Sequence, residues 1–223
     1  MIDVICDRQS KTARLLQEEL SRWEDLRGAV NWTGGRLSED EFPGLVLNRE
    51  SRTDKLSQLI RLEHQNVRVP LWDFQGWGED WYPRTAHHQQ GMDFTSPIPA
   101  GEIAYYVKRA PLAEEWRLHF FRTAKGNIKL LRSGKKIPRV RNPHPWVRSH
   151  RLGWKISYCG GAPGDAVSQG RAAMDALALD FGAVDVGMLE QPLALVLEVN
   201  TCPGLEAGTL ARYAEAVAER FAR

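Results

Sequence analysis

Cysteine is scarce in this chain of 223 residues: Cys6, Cys159 and Cys202 are the only three, an odd number without CxxC spacing. Neither a disulfide framework nor a zinc site is expected from them. Long apolar runs are also lacking, since nothing approaches the eighteen or so uninterrupted apolar residues of a membrane helix. The opening MIDVICDRQS is too acidic, and too short in apolar length, to read as a signal peptide. A cytoplasmic protein with no membrane contact is the expectation. The most informative lack is local, because no Asp or Glu stands between Glu115 and Asp165, where twelve of the chain's 30 Lys and Arg are found. The formal net charge of +2 conceals this segregation. A segment so one-signed is built to meet anions.

What is present is an ordinary globular composition, 43% hydrophobic, with enough length for a sizeable core. Ile2 to Cys6 reads as a buried strand, and Leu15, Leu16, Leu20 and Trp23 follow at helical spacing. Short apolar runs at 28–32 and 44–47, a helix over 52–63 and a strand over 67–72 complete an α/β opening. The stretch from Asp73 to Gly91 has loop chemistry, which predicts a boundary there: an N-terminal α/β subdomain over 1–73 and a second region over 74–223. Runs at 102–108, 116–122 and 127–132 read as antiparallel strands, with Ala124-Lys125-Gly126 as a hairpin turn. Residues 139–154 read as an ordered loop whose Trp146 and Trp154 seek burial. Asp165 is a candidate N-cap for a helix to about Phe181, stopped by Gly182. Strands over 183–187 and 193–200, joined by a turn at 190–192, and a last helix through Leu210, Tyr213, Val217 and Phe221 close the chain.

In the segment LALVLEVN ending at Asn200, alternation puts Glu198 and Asn200 on one face, roughly 6 to 7 Å apart at the backbone. A tight turn centred on Gln191 and Pro192 sets Asp185 across from Glu198. Facing carboxylates repel unless a cation sits between them, and two carboxylates with an amide oxygen suit Mg²⁺.

The segments LDFGAVDV, from Leu179, and LEVNTCPGLE, from Leu197, resemble the C-terminal signature of the ATP-grasp superfamily, particularly its phage-type carboxylate–amine ligases. The thirteen-residue step from Asp185 to Glu198 is similar to the family's spacing. The resemblance implies an α/β (α+β) fold enclosing a nucleotide cleft, with ATP and Mg²⁺ bound and the metal held by Asp185, Glu198 and Asn200. EEWRLHFF, from Glu114, is similar to the family strand EYRVHVF. Tyr105 to Lys108 looks like the hinge whose backbone, at Tyr106, Val107 and Lys108, meets adenine. The segment from Trp81 to Met92 resembles the strand and loop over the phosphates, with Arg84 where many members carry Lys. Its loop has only Gly91 where glycine-rich versions have several. RTDKL, from Arg52, resembles the helix in which Lys55 approaches the nucleotide, and Asn48 fits the same stretch.

The implied reaction is amide formation between a carboxylate and an amine, small molecule or peptide, through an acyl phosphate, with release of ADP and phosphate. Arg117, Arg132 and Arg141 are the candidates for holding the carboxylate or the tetrahedral oxyanion, because the guanidinium fork suits both; Arg117 alone sits in a family motif. A kinase that stops at phosphorylation, a thioester-forming ligase and a non-catalytic nucleotide binder remain as alternatives within the fold. A nucleic-acid-binding module is the rival from outside it, argued from the twelve cations interleaved with Phe120, Phe121, Trp146 and Trp154. Against it stand a near-neutral total charge and no nucleic-acid motif. Adjacent His87 and His88 lack a third ligand and are not expected to bind metal. Cys202 reads as small and buried, and Asp180 as a structural acid at a helix end.

Overall fold

Residues 2–5, 11–21, 28–31, 46–47, 54–86, 98–158, 160–201 and 203–221 are described by the computed structural model. The N-terminal part contributes β1 (Ile2–Ile5), α1 (Lys11–Leu20), β2 (Gly28–Asn31), β3 (Val46–Leu47) and α2 (Lys55–His64). The three strands pair in parallel in the order β1-β2-β3. Asp54 caps α2 by accepting from the backbone N–H groups of Leu56 and Ser57, so the helix starts three residues later than its apolar period implies. A strand over 67–72 is not formed. Pro70 lacks a donor for any ladder, and only β4 (Trp72–Asp73) pairs, joining β6 (Tyr105–Lys108) with β5 (Trp81–Arg84) in the order β4-β6-β5.

The main sheet is antiparallel and runs β11-β10-β7-β8-β9, from β7 (Leu112–Arg122), β8 (Ile128–Pro138), β9 (Trp154–Ser157), β10 (Phe181–Leu189) and β11 (Ala194–Asn200). Alternation along these strands sends side chains to two cores. On one face Trp116, Leu118, Phe120, Val184, Val186 and Val196 pack beneath α3 (Gly164–Ala176). On the other, Phe121 and Phe181 meet α4 (Ala207–Phe221) and Leu16 and Leu20 of α1. Gly170 permits the close approach of α3, since a Cβ there would lie 2.6 Å from the Phe120 ring.

Four expectations change. Asp165 lies in the first turn of α3 rather than capping it; its carboxylate is taken by Arg68 and by the Ala194 N–H at 2.7 Å. The helix ends near Ala176, and Ala178 (φ 52°) supplies the left-handed residue expected of Gly182, which lies inside β10. The loop over 139–154 is ordered but leads into β9 at Trp154, which was not expected. Trp146 is 47% exposed rather than buried, because Arg109 stacks on its ring at 4.0 Å and holds it at the surface.

The outer edge of β11 is covered. The Val196 N–H donates to the Arg68 carbonyl at 2.8 Å, and Lys55 Nζ donates to the Val199 carbonyl at 2.7 Å. Among the described residues no helix is long and apolar enough to cross a membrane. Asn48, His87, His88, Gly91 and all three cysteines lie outside the described residues.

Candidate active site

Strand register builds the site as rows across one face of the main sheet. Asp185 pairs with Glu198 on one side and with Arg117 on the other, and Arg117 pairs with Gly134. One step along, Ala183 lies between Asn200 and His119. This face is the one that Phe121 and Phe181 share with α4. Past the helix it opens into a cleft of about 1270 Å³, whose far wall includes Arg84, Val107 and Lys108. A cavity of this size is ample for small-molecule or cofactor binding.

Asp185 is buried, and Arg117 grips it with two donors, Nε and Nη2, each at 2.7 Å. Lys136 Nζ adds a contact at 3.3 Å and also pairs with the buried Glu115. Burial alone would raise the Asp185 pKa, yet the Arg117 and Lys136 cations hold it far below the usual carboxylate range. For Lys136 burial favours loss of the proton, and the Asp185 and Glu115 carboxylates outweigh that and keep it charged. Burial pushes the Glu115 carboxyl up, against the pull of Lys136. Glu198 takes a separate partner, Lys55 Nζ at 3.0 Å.

Asp185, Glu198 and Asn200 therefore meet at the cleft, as the alternation and the turn imply. Lys55, Arg84, Val107 and Lys108 line it too, whereas the Tyr106 side chain does not and packs where Gly76 leaves room, 2.9 Å from an added Cβ. Arg117 lines the cleft with its fork on Asp185. Arg132 is not part of the wall: its guanidinium lies 3.7 Å from the Tyr158 ring centre and donates to Thr209 Oγ1 at 2.8 Å, on the α4 side. Arg141 is exposed in the 139–154 loop and is also absent from the wall. Both lie on the basic segment: Arg132 pairs with His119 on the same sheet face but one row along from Arg117, where α4 covers it, and the loop's course carries Arg141 away from the wall.

The twelve cations of that segment are not one uniform patch. Arg117, Arg122, Lys129, Lys135 and Lys136 pair with Asp185, Asp175, Glu219, Glu114 and Glu115 in turn. Arg139, Arg148, Arg151 and Lys155 line the cleft alongside Arg117 and Lys136. Six of the twelve thus line one cleft, and three more, Arg122, Lys129 and Lys135, pair with acids outside it. Lys136 and Glu115 are the site residues that motif reading missed. Asp180 has its expected structural role, accepting from Arg220 at 2.8 Å.

The donor set fits a hard divalent cation. Among the described residues no three acidic, His or Cys side chains gather as a metal site; what the protein offers is two carboxylates and an amide, donors of the oxygen type that such a cation takes. The buried Nδ2 of Asn200 has no hydrogen-bond partner. A half-turn of that amide presents its oxygen instead, which a cation satisfies.

Beneath the site His119 is fully buried, with its Nδ1 3.4 Å from the Tyr213 hydroxyl and its Nε2 3.4 Å from that of Tyr158. Burial first, and repulsion from Arg117 second, push its pKa down to about 3. An unfolded histidine titrates near 6.5, at about 1.4 kcal/mol per pKa unit. Between pH 6.5 and 3 the unfolded chain therefore holds one more proton than the folded one, and stability falls as pH falls. Urea melts across this window should lose about 1 kcal/mol more per pH unit in the native protein than in His119→Gln; parallel slopes would show that His119 protonates without cost.

No protein-family model matches the chain, and no curated protein matches it. Solved structures do. The D-alanine–D-alanine ligase from Bacillus anthracis superposes with a TM-score of 0.63 at 13% identity, covering 97% of this chain and 91% of that one. The ATP-grasp ligase PsnB, solved with a minimal precursor, gives 0.62 at 11% identity and covers 98% of each chain. The chain spans about half, 49%, of the N5-carboxyaminoimidazole ribonucleotide synthetase from Thermotoga maritima, which covers 75% of this chain at 11% identity and a TM-score of 0.49. A likeness this extensive at such low identity is one of architecture, and the architecture that carries the Asp185, Glu198 and Asn200 rows is the ATP-grasp fold.

Proposed function

We propose that the protein is an ATP-dependent carboxylate–amine ligase that works through an acyl phosphate. The observation that carries this reading is the convergence of Asp185, Glu198 and Asn200 on a cleft otherwise lined with cations. A carboxylate resists an amine at neutral pH because oxide is its leaving group. Phosphorylation by ATP replaces oxide with phosphate, and the remaining barrier is one of charge.

In this reading Lys55, Arg84 and the backbone of Tyr106 to Lys108 hold the nucleotide. Asp185, Glu198 and Asn200 hold Mg²⁺, which neutralises the terminal phosphates when bound. Arg117 orients the transferred phosphoryl group and the substrate carboxylate beside it. Arg139, Arg148, Arg151 and Lys155 attract an anionic acid into the outer cleft. The chemistry of the relatives is in keeping: one is named a D-alanine–D-alanine ligase, another an ATP-grasp ligase.

The carboxylate oxygen attacks the γ-phosphorus and ADP departs. The amine then adds to the acyl carbon, and phosphate leaves with the oxygen that attacked. With ¹⁸O in the carboxylate, one label is expected in inorganic phosphate for each amide formed, and hydroxylamine should trap a hydroxamate when the amine is withheld. Label in AMP would overturn the mechanism. ADP with a stable phosphorylated product would make the protein a kinase.

A further inference from the structure

Asp185 presents a problem for the reading above. Its two oxygens are already gripped by Arg117, and Lys136 stands 3.3 Å away, so the carboxylate at the heart of the proposed metal site is fully neutralised by the protein itself. The neighbourhood is also balanced as a whole. Three carboxylates, Asp185, Glu198 and Glu115, face three cations, Arg117, Lys55 and Lys136. A bare divalent ion entering this cluster would leave it two positive charges in excess, with little water to screen them. A divalent ion arriving with a nucleotide brings the compensating charge.

We propose that Arg117 and Lys136 are exchangeable counter-ions of Asp185: they neutralise the carboxylate while the cleft lacks nucleotide, and transfer to the phosphates when a metal–nucleotide complex enters. This rests on the metal-dependent reading of the site. The parts suit the exchange. Arg117 carries a planar fork that fits phosphate as well as carboxylate. Lys136 has a flexible stem and three donors, and Glu115 anchors it from behind, so it keeps one partner while changing another. Both side chains line the cleft. Metal and nucleotide binding are then coupled, and the coupling is reciprocal: each raises the affinity for the other by the same factor.

The test uses the full chain, with Mn²⁺ alone followed by its electron spin resonance and, separately, the β,γ-imido analogue of ATP in EDTA. Arg117→Gln removes one counter-ion. The paired change Glu115→Gln with Lys136→Met removes the other while conserving charge, which protects the fold. Arg117→Gln is expected to raise nucleotide-free Mn²⁺ affinity roughly tenfold or more, the charge-conserving pair to raise it less by freeing Asp185 of one cation, and both to lower metal-free analogue affinity. A residue that merely supports the sheet would not move the two affinities in opposite directions. Unchanged or weaker Mn²⁺ binding in both variants overturns the exchange. Adding Glu198→Ala to either variant should remove the gained Mn²⁺ signal, and a signal that survives it would overturn the metal assignment itself.

Discussion

Glu198→Ala should lower ATP-dependent ADP formation by about two to three orders of magnitude, the usual cost of deleting one preorganised group that meets charge in a transition state. Its effect on folding should stay within about 1 kcal/mol, as for a partly exposed ion pair. The side chain is 27% exposed and its described ionic partner is Lys55, which keeps a second acceptor in the Val199 carbonyl at 2.7 Å when Glu198 is gone. Steady-state ADP release and a urea melt on the same preparation separate the two effects. Turnover near the native level in a folded variant would remove Glu198 from the metal site.

Asp185→Ala should behave differently. The same loss of turnover is expected, but with a fall in stability of about 3 to 5 kcal/mol, the range seen when one partner of a buried pair is deleted and the other charge is stranded. Here two charges are stranded, Arg117 and Lys136, and Glu115 compensates only the second. A urea midpoint close to the native one would mean that both cations find water or another partner, and that the buried network contributes little to the fold. Comparing the two variants thus distinguishes a carboxylate that serves the reaction from one that serves the reaction and the sheet.

The pairing of Asp185 with Glu198 was legible in the sequence, though partly by a cancellation. The turn is centred on Gln191 alone rather than on Gln191 and Pro192: Met188 pairs with Ala194 and Gly187 with Leu195. Continued without interruption, that register would set Asp185 across from Leu197. A bulge after Asp185 leaves Leu197 unpaired and restores Glu198 to its place. Its trace is the burial pattern, in which Leu197 and Glu198 are both half-exposed before alternation resumes at Val199.

Lys136 was missed for a related reason. The strand expected over 127–132 stops short of Ser133-Gly134-Lys135-Lys136, which lie inside β8. Gly134 is needed there, since a Cβ would lie 2.4 Å from the Ile156 side chain and 2.8 Å from the Tyr158 ring. The signal that would have found Lys136 is the hairpin itself. Phe121 pairs with Lys129 around the expected turn, and carrying that ladder onward, with one bulge at Leu131, brings Lys136 beside Glu115. The late strand β9 and the surface position of Trp146 were not legible, because both depend on contacts with residues distant in sequence. Arg109 reaches Trp146 from the end of β6, and β9 exists only because β8 runs far enough to pair with it.

The covered edge of β11 also bears on association between molecules. An edge strand with open N–H and C=O groups is a template on which another chain can add, and β11 is apolar over most of its length, ALVLEVN. Its outward groups are met by the Arg68 carbonyl, the Asp165 carboxylate and the Lys55 ammonium. Two of these three come from the segment around α2, which therefore acts as a guard against self-recruitment as well as a support for the cleft. A fragment beginning after residue 70 would retain the rows of the site but lose Lys55 and present its most reactive strand to the next molecule, so aggregation would accompany the loss of nucleotide binding.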